Sequence, residues 1–160
     1  MVIEWVKFGK PSLVGIVMSM VAGLATITPG SGFVGPIGGV VYVLLAGSVC
    51  YYYVNLIKDA LKVDDPLDVF PVHGVGGILG VVLVLIFATT SLGGMGYADS
   101  TTMSRQFLVQ LTGTTAVVAW SGIITFFIIK FITILVGLRV GKEGETEGLD
   151  LAEHGEHGYN

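Results

Sequence analysis

Long apolar stretches fill the sequence between Pro11 and Leu138, and they leave a chain of this kind few folds to adopt. They are too long for strands or for core helices of a soluble domain. About 20 apolar residues wound as a helix, at about 1.5 Å each, cross a hydrocarbon layer of about 30 Å. The charge count agrees: 12 acidic and 8 basic residues in 160, with a mean hydropathy of +0.81, where a soluble domain carries about a quarter charged residues. A soluble enzyme, a disordered chain and a nucleic-acid binder, which needs a basic face, are therefore excluded. The class is an all-α, polytopic membrane protein.

Four spans are expected, over about 12–28, 37–57, 69–89 and 107–138. The first lies between Pro11 and Pro29. Its Gly15, Ser19, Ala22 and Gly23, spaced three and four apart, let a neighbouring backbone approach closely. A breaker-rich turn, 29–36, leads to the second span, which ends in Tyr51-Tyr52-Tyr53, aromatic rings suited to a water interface. A polar loop, 58–68, carries two lysines and four aspartates. The fourth stretch is about 48 Å long if wholly helical, so it must tilt steeply or project beyond the bilayer. Residues 1–11 are too broken by charge to be a signal peptide and read as a cytoplasmic N-terminal segment; 139–160 read as a cytoplasmic tail.

Orientation follows from the basic residues. With four spans, Lys7, Lys10, Lys58, Lys62, Arg139 and Lys142 share one side with both termini, against Arg105 alone on the other, while Lys130 lies within the last helix. Six against one is a positive-inside pattern, placing the middle loop and the tail in the cytoplasm and the chain in the cell (inner) membrane. The single Cys50 forms no internal disulfide and reads as a buried, inert thiol.

The stretch Asp64-Asp-Pro-Leu-Asp-Val-Phe-Pro-Val-His-Gly-Val-Gly-Gly-Ile-Leu-Gly80 concentrates the chemistry. Asp68 is the expected N-cap of the third helix, and Pro71 is tolerable within its first turn. His73 then stands about one and a half turns in, followed by Gly74, Gly76, Gly77 and Gly80, a surface without side chains suited to close helix packing. An ionisable residue inside a span is a functional-site candidate; the alternative is a neutral imidazole bonded to a neighbouring helix for structure alone.

Within this stretch, residues 65–77 closely resemble the second-histidine motif of the ammonium transporters, the Amt/Mep/Rh family, in its bacterial Amt branch. Gly9-Lys-Pro-Ser-Leu-Val-Gly15, Ala22-Gly-Leu-Ala-Thr-Ile-Thr-Pro29, Ser91-Leu-Gly-Gly94, Trp120-Ser-Gly122 and Gly137-Leu-Arg-Val140 are similar to family landmarks, in family order. Gly148-Leu-Asp-Leu-Ala-Glu-His-Gly-Glu-His-Gly-Tyr159 resembles the family's cytoplasmic tail. The resemblance implies a chain equivalent to the last four of eleven transmembrane helices, in a fold of two inverted five-helix repeats plus a long oblique helix, with the pore between the repeats. The first repeat, its own pore histidine, the paired phenylalanines over the pore and the outer cation-recognition site have no counterpart in these residues. The stretch around Glu4, Trp5, Gly9 and Lys10 resembles the loop entering the family's eighth helix, which points to truncation.

By the same resemblance His73 matches the second pore histidine, Val69 a cytoplasmic-side pore-lining position, Thr28 a pore-facing hydroxyl and Asp68 the acid at the inner pore mouth. Capping of backbone groups would also account for Thr28 and Asp68. Pro71 departs from an expected glycine and removes one N–H near the pore. The function implied is transport of ammonium or ammonia by half of a channel, in a homotrimer or with the missing N-terminal half in trans. The alternative is a non-conducting module whose tail, through Gly148, Leu149, Asp150, His154, Gly155 and Tyr159, contacts a neighbouring subunit or a PII-class signal protein; composition alone favours a solvated acidic tail. No enzymatic activity, cofactor, metal or nucleic acid is expected. His154 and His157 in a glycine-rich segment are a weak metal signal, and Gly93-Gly-Met-Gly96 lacks the lysine of a phosphate loop.

Overall fold

Ser12 opens the first spanning helix by accepting the Gly15 N–H on its Oγ at 2.9 Å, one of the orphan donors that every helix start leaves. The computed structural model describes residues 2–157, and among these it is helical, with no strand. Helix α1 covers Val2–Phe8, α2 Leu13–Ile27, α3 Pro36–Asn55, α4 Gly76–Phe87, α5 Met103–Leu135, α6 Lys142–Glu147 and α7 Leu149–His154. A tight turn, Thr28–Gly30, extends α2, and wide π turns, Leu56–Ala60 and Phe70–Val75, extend α3 and precede α4.

Four described segments are long and apolar enough to cross a membrane: Leu13–Gly30, Pro36–Ala60, Phe70–Phe87 and Met103–Leu135. Their number and order are those expected from hydropathy. The fourth begins earlier than expected because Thr102 starts it, its carbonyl accepting from Gln106 N–H at 2.9 Å and its Oγ1 from Arg105 N–H at 3.3 Å. It ends earlier because Gly137, at φ +80°, leaves the helical conformation. Its 33 residues still give about 50 Å. One element was not expected: the N-terminal segment forms α1. Lys7 holds it to α3 by standing 5.1 and 5.4 Å over the Tyr51 and Tyr52 rings, and Glu4 accepts from Ser12 N–H and Oγ–H at 3.2 and 3.1 Å.

The chain divides into two units, Met1–Thr115 and Ala116–Asn160. In the first, α2, α3 and α4 pack through small residues. A Cβ on Gly80 would overlap the Thr26 carbonyl, and one on Gly76 would lie 2.9 Å from Thr26 Oγ1 and 3.3 Å from Cys50 Sγ. Tyr42 of α3 is fully buried, its ring 5.6 Å from that of Phe87. Its hydroxyl donates to the Gly80 carbonyl at 2.8 Å, a bond of about 0.5–1.5 kcal/mol net. Because lipid tails are as apolar as leucine, such close approach and interhelical bonding replace the hydrophobic effect as the force joining spans. Ala22, Cys50 and Val72 close the core at the other end of the same seam.

In the second unit the acidic end is folded. Arg139 Nε donates to Glu145 Oε1 at 2.8 Å, and Gly148, at φ +101°, joins α6 to α7. Gly155, at φ +64°, ends α7, with Glu156 N–H returning to the Asp150 carbonyl at 2.9 Å. Left-handed positions of this kind favour glycine, which has no Cβ to clash.

Candidate functional site

The site is built around the start of the third span. The first N–H groups of a helix need acceptors, and here each has one. Asp65 Oδ1 and Oδ2 accept from Val69 and Phe70 N–H, both at 2.9 Å. Pro71 has no N–H to satisfy, and Val72 N–H reaches the Asp68 carbonyl at 3.0 Å. Asp65, not Asp68, is therefore the capping carboxylate. Asp68 instead adopts a left-handed backbone, φ +54°, a conformation Asp tolerates better than most residues. Its carboxylate, mostly buried, pairs with Lys58 Nζ at 2.7 Å. That pair ties the π turn ending α3 to a residue two positions before the next π turn.

From this base the chain winds through Phe70–Val75, burying Pro71 and Val72 and leaving His73 exposed. The imidazole has no hydrogen-bonding partner among the described residues. Val69, 52% exposed, precedes it by four residues, and Phe70, Gly77 and Ile78 leave the surrounding surface open and apolar. His73 and Val69 thus share one uncovered face. Asp68 does not join them: it lines a separate cavity of about 310 Å³ with Glu4, Ser12, Cys50, Asn55 and Val72. Thr28 lies at the far end of α2, exposed, with its hydroxyl donating to the Leu24 carbonyl at 2.7 Å. With its proton turned inward, this oxygen presents lone pairs outward and acts as an acceptor.

Of the tail residues, Gly148 and Gly155 hold the helix joints, Leu149 and Asp150 begin α7, and His154 ends it. Tyr159 lies outside the described residues. Reading the sequence alone missed Asp65 and Lys58. The available signal was a second aspartate directly before Pro66, a residue pair that favours turn initiation over helix.

The sequence matches the Ammonium Transporter Family over residues 1–159. It is 42% identical to an ammonium transporter of Aquifex aeolicus, covering 98% of this chain and 37% of that protein. The corresponding figures for an ammonium transporter of Archaeoglobus fulgidus are 41%, 99% and 40%. Among solved structures, a Sensor Amt Protein superposes with a TM-score of 0.82 at 29% identity, over 95% of this chain and 37% of that one. The delta442 mutant of Mep2 from Candida albicans gives 0.70 at 33%, over 87% and 36%. The chain therefore spans about two fifths of the length of these relatives, a share that fits four helices out of eleven.

Proposed function

Because the chain belongs to the ammonium transporter family, we propose that it forms one wall of a pore for ammonium or ammonia, with His73 at its centre. The observation that carries this reading is an imidazole, without a partner among the described residues, on the open face of an otherwise apolar span. A bare ammonium ion in such a passage loses several kcal/mol of hydration without compensation. Ammonia and its proton therefore separate, and an imidazole is suited either to hydrogen-bond the neutral molecule or to relay the proton. Val69 lines the passage on the cytoplasmic side, Thr28 offers an acceptor for N–H bonds, and Asp68, paired with Lys58, stands by the inner mouth.

The facing wall is the part of the family fold that these residues do not cover, and the pore forms in a homotrimer or with that part joined in trans. The six-to-one distribution of basic residues supports a cell-membrane location with the tail in the cytoplasm. The test uses cells that lack their own ammonium uptake. They express this chain with the remaining portion of the Aquifex aeolicus relative, and radiolabelled methylammonium is followed. Uptake is expected from the pair and not from either piece. If the pair reaches the membrane and takes up nothing, the pore reading fails; uptake by this chain alone removes the two-wall account.

A second reading concerns the tail, favoured by its folding into α6 and α7 around Gly148 and Gly155. Gly148, Leu149, Asp150, His154 and Gly155, with Tyr159 beyond them, form a regulatory surface for a neighbouring subunit or a PII-class signal protein. Removing residues 141–160 is expected to abolish capture of a purified PII protein while membrane insertion continues. Undiminished capture ends this reading.

A further inference from the structure

His73 and Gly80 are seven residues apart, a spacing that puts two residues of a regular helix within about 20° of one stripe. They do not share a face here. Gly80 is buried against the Thr26 carbonyl, while His73 is exposed. The wide turn over Phe70–Val75 makes the difference. A π turn holds one residue more than an α turn, and each extra residue rotates the helix before it by about 100° relative to the helix after it. In an unbroken α-helix the imidazole would point along the Gly76/Gly80 seam, toward α2 and α3.

Such turns are rare and need support. The carboxylate of Asp65 supplies it at the start of the turn, one oxygen on Val69 N–H and the other on Phe70 N–H. Lys58 holds Asp68 from the adjoining π turn. We propose that Asp65 is a positioning residue for His73: by holding these two N–H groups it keeps the wide turn wound and the imidazole rotated out of the seam. Its consequence for conduction rests on the pore reading; the geometry of the turn does not.

The test therefore needs no transport. The full chain, solubilised in detergent, is treated with diethylpyrocarbonate, and modification of each histidine is followed by mass spectrometry, with His154 and His157 as internal references. Asp65→Ala is expected to slow modification of His73 at least threefold relative to the other two, as the imidazole turns into the seam. Asp65→Asn, which keeps an acceptor oxygen, restores part of the rate. Loss of fold would leave the already exposed His73 accessible and its rate undiminished, so slowing separates a change of register from unfolding. Where Asp65→Ala does not fold, Asp65→Asn replaces it: with one acceptor oxygen where the carboxylate holds two N–H groups, it is expected to slow modification by a smaller factor, and a wild-type rate overturns the proposal. Wild-type rates at His73 in the folded variant overturn the proposal. Slowed modification in a chain that never supports uptake retains the positioning role and discards the pore.

Discussion

Replacing His73 with alanine is expected to lower methylammonium uptake by the paired halves at least tenfold, with no loss of protein from the membrane. The side chain is exposed and has no partner among the described residues, so its removal opens no cavity and orphans no buried group there. Substitutions of that kind usually move stability by less than about 0.5 kcal/mol. The effect on the transported molecule is larger. Losing one hydrogen bond where water cannot replace it costs about 1–3 kcal/mol, and about 1.4 kcal/mol is a factor of ten. His73→Gln separates the two roles open to the imidazole, since an amide donates and accepts but does not take up a proton near neutral pH. Uptake retained by Gln and lost by Ala assigns hydrogen bonding; uptake lost by both assigns proton relay. Wild-type uptake by His73→Ala at equal abundance removes the imidazole from the path.

The spans were legible because hydropathy acts residue by residue, and burial between helices does little to override it. The ends of the spans were less so. Thr102 extends α5 at one end and Gly137 shortens it at the other, and neither effect shows in a hydropathy sum. The start of the third span was misread for a physical reason. Asp68 occupies the expected capping position for a regular helix beginning there, but the segment winds as a π turn, and whether a turn closes after four or five residues is decided by its neighbours. Buried Pro71 and Val72, the Lys58–Asp68 pair and the reach of Asp65 make that decision together. Composition alone favoured a solvated tail, and the family resemblance rested on a pattern that includes Gly148 and Gly155. At Gly148 and Gly155 the backbone explains that pattern, because both positions are left-handed.

Gly80→Leu is expected to produce the largest loss of stability of any single change in the glycine run after His73. A Cβ there would overlap the Thr26 carbonyl, and backbone cannot step aside as a flexible side chain does. The helices must separate. Overpacking of this kind costs about 1–3 kcal/mol, and separation also strands the buried Tyr42 hydroxyl that now donates to the Gly80 carbonyl. An unpaired buried donor adds about 1–3 kcal/mol, and no hydrophobic gain between spans offsets either loss. Gly77 is the internal control. It lies three residues earlier on the same helix, and nothing stands within 4 Å of a Cβ placed on it. Gly77→Ala should therefore keep the midpoint of thermal aggregation in detergent, while Gly80→Leu lowers it by many degrees or prevents recovery of folded protein. Equal midpoints for the two variants would mean that the seam of Gly76 and Gly80 does not hold the first unit together. If the control behaves as expected, the glycines divide by role. Gly76 and Gly80 join helices, whereas Gly77 keeps the face beside His73 free of side chains, so that its replacement registers in uptake and not in stability.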